Sequence, residues 1–462
     1  MVRPLNSVLG RVLLSVPAVL AAIDVDTNNE DSIRKAAALV AEDLMSFYDG
    51  DKPGKIPGIL PGPPPDGDYY WWSGGLLWNT LIDYGSATGD NKYVDTTVKG
   101  LEWQLGQDGD FAPRNWSAQM GNDDQGVWAN AALAAAMSGL PAPSVEGTSD
   151  WLSPARMVVD ELSLRRIDNG TLEGALRWQI LMFNNGYNYV NSASNAAYFT
   201  LAAGLAHQTK NDTLAKQAAS TYEVLTKLGL IDAKFNIYDG CHTTDDCKTI
   251  NRLQVSENAG LLLTGAAYML NQTGGDETWK KRVDGLLDQT LKIFFPDGVA
   301  SEVSCETRGY NCPGDMQQYK GMLHRGLGQT MRLAPYTKSK ILPVLKTSAA
   351  AAVKTCKEGK NQRFCSSYWG ADSSDKEAAR KDAAAAQMDV LNALNSVLMA
   401  GDNAKSAGGY GGSDGGNGQG ISGAAGGTKD GNKDTPGSLG STAAVSTAVL
   451  LGGLFFSTMA LF

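Results

Sequence analysis

Two consecutive carboxylates, Asp123 and Asp124, stand in the run Gly121-Asn122-Asp123-Asp124-Gln125-Gly126-Val127-Trp128. A pair of acids held close together is the smallest apparatus that can cleave a glycosidic bond. One acid acts charged, as nucleophile or base, and the other brings a proton to the leaving oxygen. Neighbouring carboxyls resist ionising together, so proximity itself raises one of the two pKa values. The same acids would serve equally as caps for the free N–H groups of a helix that starts here. Asn122, Gln125, Trp116 and Trp128 surround them with groups that hydrogen-bond and stack, which suits a sugar. A second pair, Asp245-Asp246, lies between Cys241 and Cys247 without such company and reads as a solvated loop.

Side chains at i and i+1 of a regular helix point about 100° apart. Asp123 and Asp124 can therefore share one sugar only at a helix entrance, before the backbone is regular, with Asn122 as the cap. Other polyol-binding candidates are scattered along the chain. The stretch Phe183 to Tyr189 is too rich in Asn and Gly to be a good helix, and the amides of Asn185, Asn191 and Asn195 can both donate and accept. Tyr187 lies among them. Asp239, in a turn with Gly240, can accept from two hydroxyls of one sugar or simply close its turn. Tyr69 to Trp72, Trp78, Trp103 and Trp178 supply further aromatic faces, although a single Trp in a helix commonly belongs to the core.

Helices must position these groups. Apolar residues recur at helical spacing from Asp24 to Gly401, and no long segment alternates as a strand does. Asp31 caps the first segment, which Gly50 closes. The rest run Ser73–Thr88, Lys92–Gly106, Asp123–Ser138, Ser153–Arg166, Asn191–Thr209, Asp212–Leu228, Val255–Leu270, Glu277–Phe294, Asp315–Leu333, Lys340–Cys356 and Lys376–Met399. About twelve helices with small residues such as Ala129 to Ala136 on their faces make six hairpins. The expected architecture is all-α, an (α/α)6 barrel with loops gathered around a concave site at one end.

The ends point to export. Arg3 and Arg11 form a positive region ahead of the short apolar run Val12 to Ala22, the pattern of a leader over residues 1–22. The catalytic domain is expected over 23–402 and a Gly/Ser-rich linker with the attachment region over 403–441. Apolar residues 442–462 have no basic flank, the pattern of a removable GPI signal. The mature protein is then secreted and held by a GPI lipid at the outer face of the plasma membrane or in the cell wall. Six cysteines form three close pairs, and local bridges Cys241–Cys247, Cys305–Cys312 and Cys356–Cys365 fit an oxidising compartment. Sequons at Asn115, Asn169, Asn211 and Asn271 fit a secreted glycoprotein. A net charge of −9 offers no basic surface for nucleic acid. His207, His242 and His324 lack zinc-ligand spacing with the cysteines, so no metal or cofactor is expected, with Asp108 and Asp110 only a weak calcium pattern.

Several motifs in order give a more specific reading. They are Asn122-Asp123-Asp124-Gln125, Leu176-Arg177-Trp178-Gln179, Asn184-Asn185-Gly186-Tyr187-Asn188-Tyr189 into Asn191-Ser192 and Asn195, and Tyr238-Asp239-Gly240. Cys305-Glu306 to Cys312, Asp315, Tyr319-Lys320-Gly321 and Gln387-Met388 follow. In these the chain resembles the family 76 glycoside hydrolases, α-1,6-mannanases, and most of all their fungal GPI-anchored branch, the defective-in-filamentous-growth and defective-cell-wall proteins. The resemblance implies an (α/α)6 barrel and a retaining reaction with Asp123 as nucleophile and Asp124 as acid/base. It also implies a mannose-containing substrate met by Asn122, Trp128, Trp178, Gln179, Asn185, Tyr187, Asn191, Asn195 and Asp239. Glu173-Gly174-Ala175 and Gln254 to Asn258 depart from the family's pattern at subsite positions and spare the carboxylates. Three activities follow: endo-hydrolysis of α-1,6-mannan or GPI-core mannose, transfer of a GPI glycan to wall β-glucan, or glycan binding without catalysis.

Overall fold

The structure, a computed structural model, describes residues 23–306, 312–357, 362–370 and 383–401. The expected leader, linker and apolar tail lie outside the described residues. Among the described residues there are twelve α-helices: α1 Glu30–Met45, α2 Trp72–Thr88, α3 Val94–Gln104, α4 Asn122–Ser138, α5 Leu152–Leu164 and α6 Ser192–Thr209. The second half holds α7 Asp212–Lys227, α8 Ser256–Gln272, α9 Glu277–Phe294, α10 Tyr319–Leu333, α11 Lys338–Val353 and α12 Ala383–Leu398. The segments read from apolar spacing match these to within a few residues, and the expected start of the last, 376–382, lies outside the described residues. Asn29, not Asp31, caps α1, its side chain accepting from Ser32 N–H.

Even- and odd-numbered helices play different parts. α2, α4, α6, α8, α10 and α12 touch one another in sequence, and α12 returns to α2, so they close an inner ring. Each odd helix packs outside: α3 on α2, α5 on α4, α7 on α6, α9 on α8, α11 on α12 and α10, and α1 on α12. This is the (α/α)6 barrel. Sequence sets the division. α9 buries Trp279, Val283, Leu286, Leu287, Thr290 and Phe294, a one-faced stripe that leaves its Lys and Asp residues to solvent. α4 buries every residue from Gln125 to Ala135, because it has neighbours all round.

Small residues permit the inner contacts. A Cβ on Gly126 of α4 would lie 2.7 Å from the Ala197 Cβ of α6, and one on Gly326 of α10 would lie 2.5 Å from the Gly260 carbonyl of α8. Ring closure is polar as well as apolar. Asn392 of α12 donates from Nδ2 to Thr80 Oγ1 of α2 at 2.8 Å, and Asn395 Nδ2 reaches the Thr80 carbonyl at 3.2 Å.

One feature has no counterpart in the sequence reading. Three short strands, β1 Tyr189–Asn191, β2 Gly240–His242 and β3 Ile250–Asn251, form an antiparallel sheet in the order β1-β2-β3. They are too short to leave an alternating pattern. Asn191 pairs with Gly240, and Ser192 N–H donates to the Asp239 carbonyl at 2.7 Å, so the loop before α8 is fastened to the start of α6. The disulfide Cys241–Cys247 closes the β2 end of this hairpin; Cys305–Cys312 and Cys356–Cys365 are paired as well.

Candidate active site

The inner helices converge on one cavity of about 220 Å³. It is entered by Trp72 from the start of α2, Asp123 and Asp124 from α4, and Asn191 and Ala193 from the entry to α6. Val255, Glu257 and Asn258 come from the start of α8, and Asp315, Met316 and Tyr319 from the turn leading into α10. Five inner helices thus present their N-terminal turns to a single space. Each N-terminus carries partial positive charge and free N–H groups, which suit carboxylates. The outer wall is Trp178, Tyr189 and Asp239, brought in by the small sheet.

Asp123 and Asp124 occupy the first turn of α4, and the backbone there is already helical. Gly121, extended at φ −88° and ψ 166°, is the cap, and Asn122 is the first helical residue. The expected irregular entrance with Asn122 as cap is therefore corrected. The acids share the cavity because their side chains fold back over the helix end. Asp124 Oδ2 accepts from Gly121 N–H at 2.6 Å. Asp123 Oδ1 accepts from Asp124 N–H at 3.0 Å, and its Oδ2 accepts from Asn191 Nδ2 at 2.9 Å. Capping and reactivity are one arrangement here.

Electrostatics separates the two. Both keep some surface open to the cavity yet lie deep in the barrel. Burial raises the Asp123 pKa to about 6 against the Asn191 and backbone N–H donors that favour its charge. Asp124 is raised well above the ordinary carboxylate value, by burial first and then by Asp123. Asp315, to which the Trp72 indole donates, is raised by burial to about 6. Glu257 is pushed well up by burial and by Asp123, Asp315, Glu302 and Asp124. Among the described residues the lining holds five carboxyls, Asp123, Asp124, Asp239, Glu257 and Asp315, and no Lys, Arg or His. Several of these acids must carry protons.

Of the expected substrate contacts, Trp178, Asn191 and Asp239 line the cavity with Asp123 and Asp124. Tyr189 donates to Asp239 Oδ2 at 2.5 Å and Asn251 Nδ2 donates to the same oxygen at 3.0 Å. The other expected contacts lie elsewhere, each for a local reason. Asn122 is buried, its Nδ2 bonded to the Arg177 carbonyl at 2.8 Å and its Oδ1 to Arg165 at 3.2 Å. Trp128 is a core residue stacked between Trp71 and Phe111. Gln179 accepts from Asn184 Nδ2 at 3.1 Å and bridges to Gly121. Asn195 is fully buried and stitches α6 to both backbone groups of Leu176 at 2.9 Å. Tyr187 lies under the Arg177 guanidinium, 4.7 Å from its ring centre, and Asn185 is exposed outside the cavity. Asn122, Gln179 and Asn195 therefore shape the walls from behind.

Trp72, from the aromatic group read as a candidate sugar face, lines the cavity, and so do Glu257, Asp315 and Tyr319, which are not among the expected contacts. Asp315 and Tyr319 stand in quoted motifs, and Glu257 in a stretch that departs from the family's pattern. The missed signal was positional: an acid at the start of an even-numbered helix. Among the described residues no group of three or more His, Cys, Asp or Glu is placed to hold a metal ion. Asp110 is turned inward, accepting from Ala112 N–H at 3.0 Å. Asn115, Asn169 and Asn271 are exposed, while Asn211 is half-buried and caps α7.

The glycosyl hydrolase family 76 model matches residues 32–408. The chain belongs to glycosyl hydrolase family 76. It is 36% identical to the mannan endo-1,6-alpha-mannosidase DCW1 of Saccharomyces cerevisiae, over 79% of this chain and 80% of that protein. It is 32% identical to the mannan endo-1,6-alpha-mannosidase DFG5 of the same yeast, over 77% and 76%. Among solved structures, Dfg5 from Chaetomium thermophilum in complex with glucosamine is 43% identical. It superposes with a TM-score of 0.76 over 81% of this chain and 92% of its own. The α-1,6-mannanase of Salegentibacter sp. HEL1_6 in complex with α-1,6-mannotriose, 16% identical over 79% and 99%, shares the fold at a TM-score of 0.62. This family 76 protein is a glycoside hydrolase.

Proposed function

We propose that this glycoside hydrolase cleaves α-1,6-linked mannose with retention, using Asp123 as nucleophile and Asp124 as acid/base. Asp123 attacks the anomeric carbon while Asp124 gives its proton to the departing oxygen. Asp124 then takes a proton from the incoming water as the glycosyl ester on Asp123 is opened. The observation that carries this reading is the unequal hydrogen bonding of the pair. Asp123 receives N–H donors on both oxygens, from Asn191 and from the Asp124 backbone, which favours the charged nucleophile. Asp124 has one donor, Gly121, and carries the repulsion of Asp123, which favours its proton. The names of the yeast relatives support α-1,6-mannan as substrate.

The N- and C-terminal sequence patterns support a setting outside the cell, with the enzyme GPI-anchored at the plasma membrane or wall and acting on wall mannan or GPI-core mannose. A sugar hydroxyl of wall β-glucan can replace water in the second step, which makes the reaction a transfer. The deciding experiment follows α-1,6-mannotetraose cleavage by proton NMR. Retention predicts the α-anomer as the first-formed reducing end, and the β-anomer appearing first would sink the assignment. Mass spectrometry of products with and without a β-glucan acceptor separates hydrolysis from transfer.

A further inference from the structure

Glu257 is the second residue of α8 and 7% exposed, and what it exposes faces the cavity. An acid in the first turn of a helix ordinarily serves the free N–H groups there. Glu302 already does so for α8. Its buried carboxylate accepts from Ser256 N–H at 3.0 Å and Ser256 Oγ at 2.6 Å, and Ser304 Oγ holds its other oxygen at 2.9 Å. The Glu257 carboxyl makes no hydrogen bond among the described residues. Asn258, beside it in the cavity wall, also has an amide oxygen with no partner among them. A buried polar group left unpaired is costly unless a ligand pairs it.

Its surroundings decide its charge. Asp123 and Asp124 face it from α4, Asp315 and Tyr319 from the start of α10, and Glu302 from the loop behind α8. Asn191 and Trp72 add uncharged polar groups, and Asp239 and Tyr189 stand in the outer wall of the same cavity. The nearby cation Lys320 is committed elsewhere, to Glu306 at 2.5 Å and to the Ser367 carbonyl. Ionised, Glu257 would add another negative charge to this group of acids. A protonated carboxyl is instead a good donor in a low-dielectric site, as a hydroxyl-bearing ligand requires.

We propose that Glu257 is held as a neutral carboxylic acid and donates a hydrogen bond to an oxygen of the uncharged sugar seated against Asp123 and Asp124. It is then a specificity-determining residue that requires an acceptor oxygen of the sugar at that position. This rests on the glycosidase reading above.

The test compares wild type, Glu257→Ala and Glu257→Gln on α-1,6-mannotetraose from pH 5 to 8. Glu257→Ala should raise KM about tenfold with a smaller change in kcat. Glu257→Gln, whose amide also donates, should recover most of that loss at pH 5. Wild-type KM should rise towards alkaline pH as the donor is lost, and Glu257→Gln should abolish that rise. A Gln variant as poor as Ala at pH 5 overturns the proposal, because a charge is then required, as for an ammonium-bearing sugar. So does an Ala variant with wild-type KM. If thermal melting finds Glu257→Ala unfolded, the Gln pH profile decides alone, and persistence of the alkaline rise overturns the proposal. Absence of wild-type turnover on mannotetraose refutes the α-1,6-mannoside reading instead. Calorimetric binding of mannotetraose by the same proteins then decides the role of Glu257 by the same comparison.

Discussion

Asn191 donates from Nδ2 to Asp123 Oδ2 at 2.9 Å while its own Oδ1 accepts from Ser194 N–H and caps α6. One amide thus joins two neighbouring inner helices at the reacting carboxylate. Its backbone is fixed as well, because Asn191 pairs with Gly240 in the small sheet. The orientation of Asp123, the proposed nucleophile, is therefore set by an arm of the chain far from it in sequence.

Replacing Asn191 by Ala removes the donor that favours charged Asp123. The carboxyl pKa, already raised to about 6, should rise further, and the acid limb of the pH–rate profile should move to higher pH. Loss of the α6 cap should cost about 1 kcal/mol of stability. Kinetics across pH, with a melting curve alongside, separates the two effects. An unmoved acid limb would remove Asn191 from the positioning of Asp123.

Asp123→Asn and Asp124→Asn should each lower kcat on a natural glycan by about a hundredfold or more and leave the fold intact. Their responses should differ. Asp124→Asn should retain the first step on an aryl mannoside, whose leaving group needs no proton, and azide should restore turnover. Asp123→Asn should do neither. Identical behaviour of the two variants would contradict the division of roles.

The twelve-helix count and most helix boundaries were legible because outer helices such as α9 carry a one-faced apolar stripe and inner ones such as α4 and α6 are long runs of apolar and small residues. The placing of Asp123 and Asp124 together in the cavity was legible because adjacent acids stand out locally. The rest of the site was not. Trp128 and Asn195 carry the right chemistry but belong to helices buried all round, where side-chain type says nothing about which way a residue faces. Glu257 and Asp315 reach the cavity only because the closed ring puts every inner N-terminus at one end, a property of topology rather than of local sequence. Asp239 reaches it through three strands too short to be read.

Stability should fall as pH rises through the working range. The carboxyls of Asp123 and Asp315 have folded pKa values of about 6, above their ordinary 3.8. The folded state therefore binds more protons than the unfolded state between about pH 4 and pH 6, and stability declines with rising pH across that window. Each group contributes at most about 3 kcal/mol. The melting temperature should be higher at pH 5 than at pH 7.5, and Asp123→Asn should raise it at pH 7.5. A flat melting profile over this range would contradict the buried, strained state of these acids.

Asp239 gives the last prediction. Its Oδ2 is occupied by the Tyr189 hydroxyl at 2.5 Å and by Asn251 Nδ2 at 3.0 Å, and Asn251 also touches the Tyr189 hydroxyl at 3.2 Å. These two residues fix the carboxyl so that its other oxygen, which has no partner among the described residues, is available for a sugar hydroxyl. Burial raises the Asp239 pKa while both donors favour its charge. Asp239→Ala should raise KM for an α-1,6-mannoside about tenfold or more, since a charged hydrogen bond to substrate is lost. Tyr189→Phe should raise it less, because the carboxyl remains and only its orientation loosens. The double variant should be no worse than Asp239→Ala alone, since the tyrosine acts through the carboxyl. Additive losses in that cycle would mean that Tyr189 contacts the sugar in its own right.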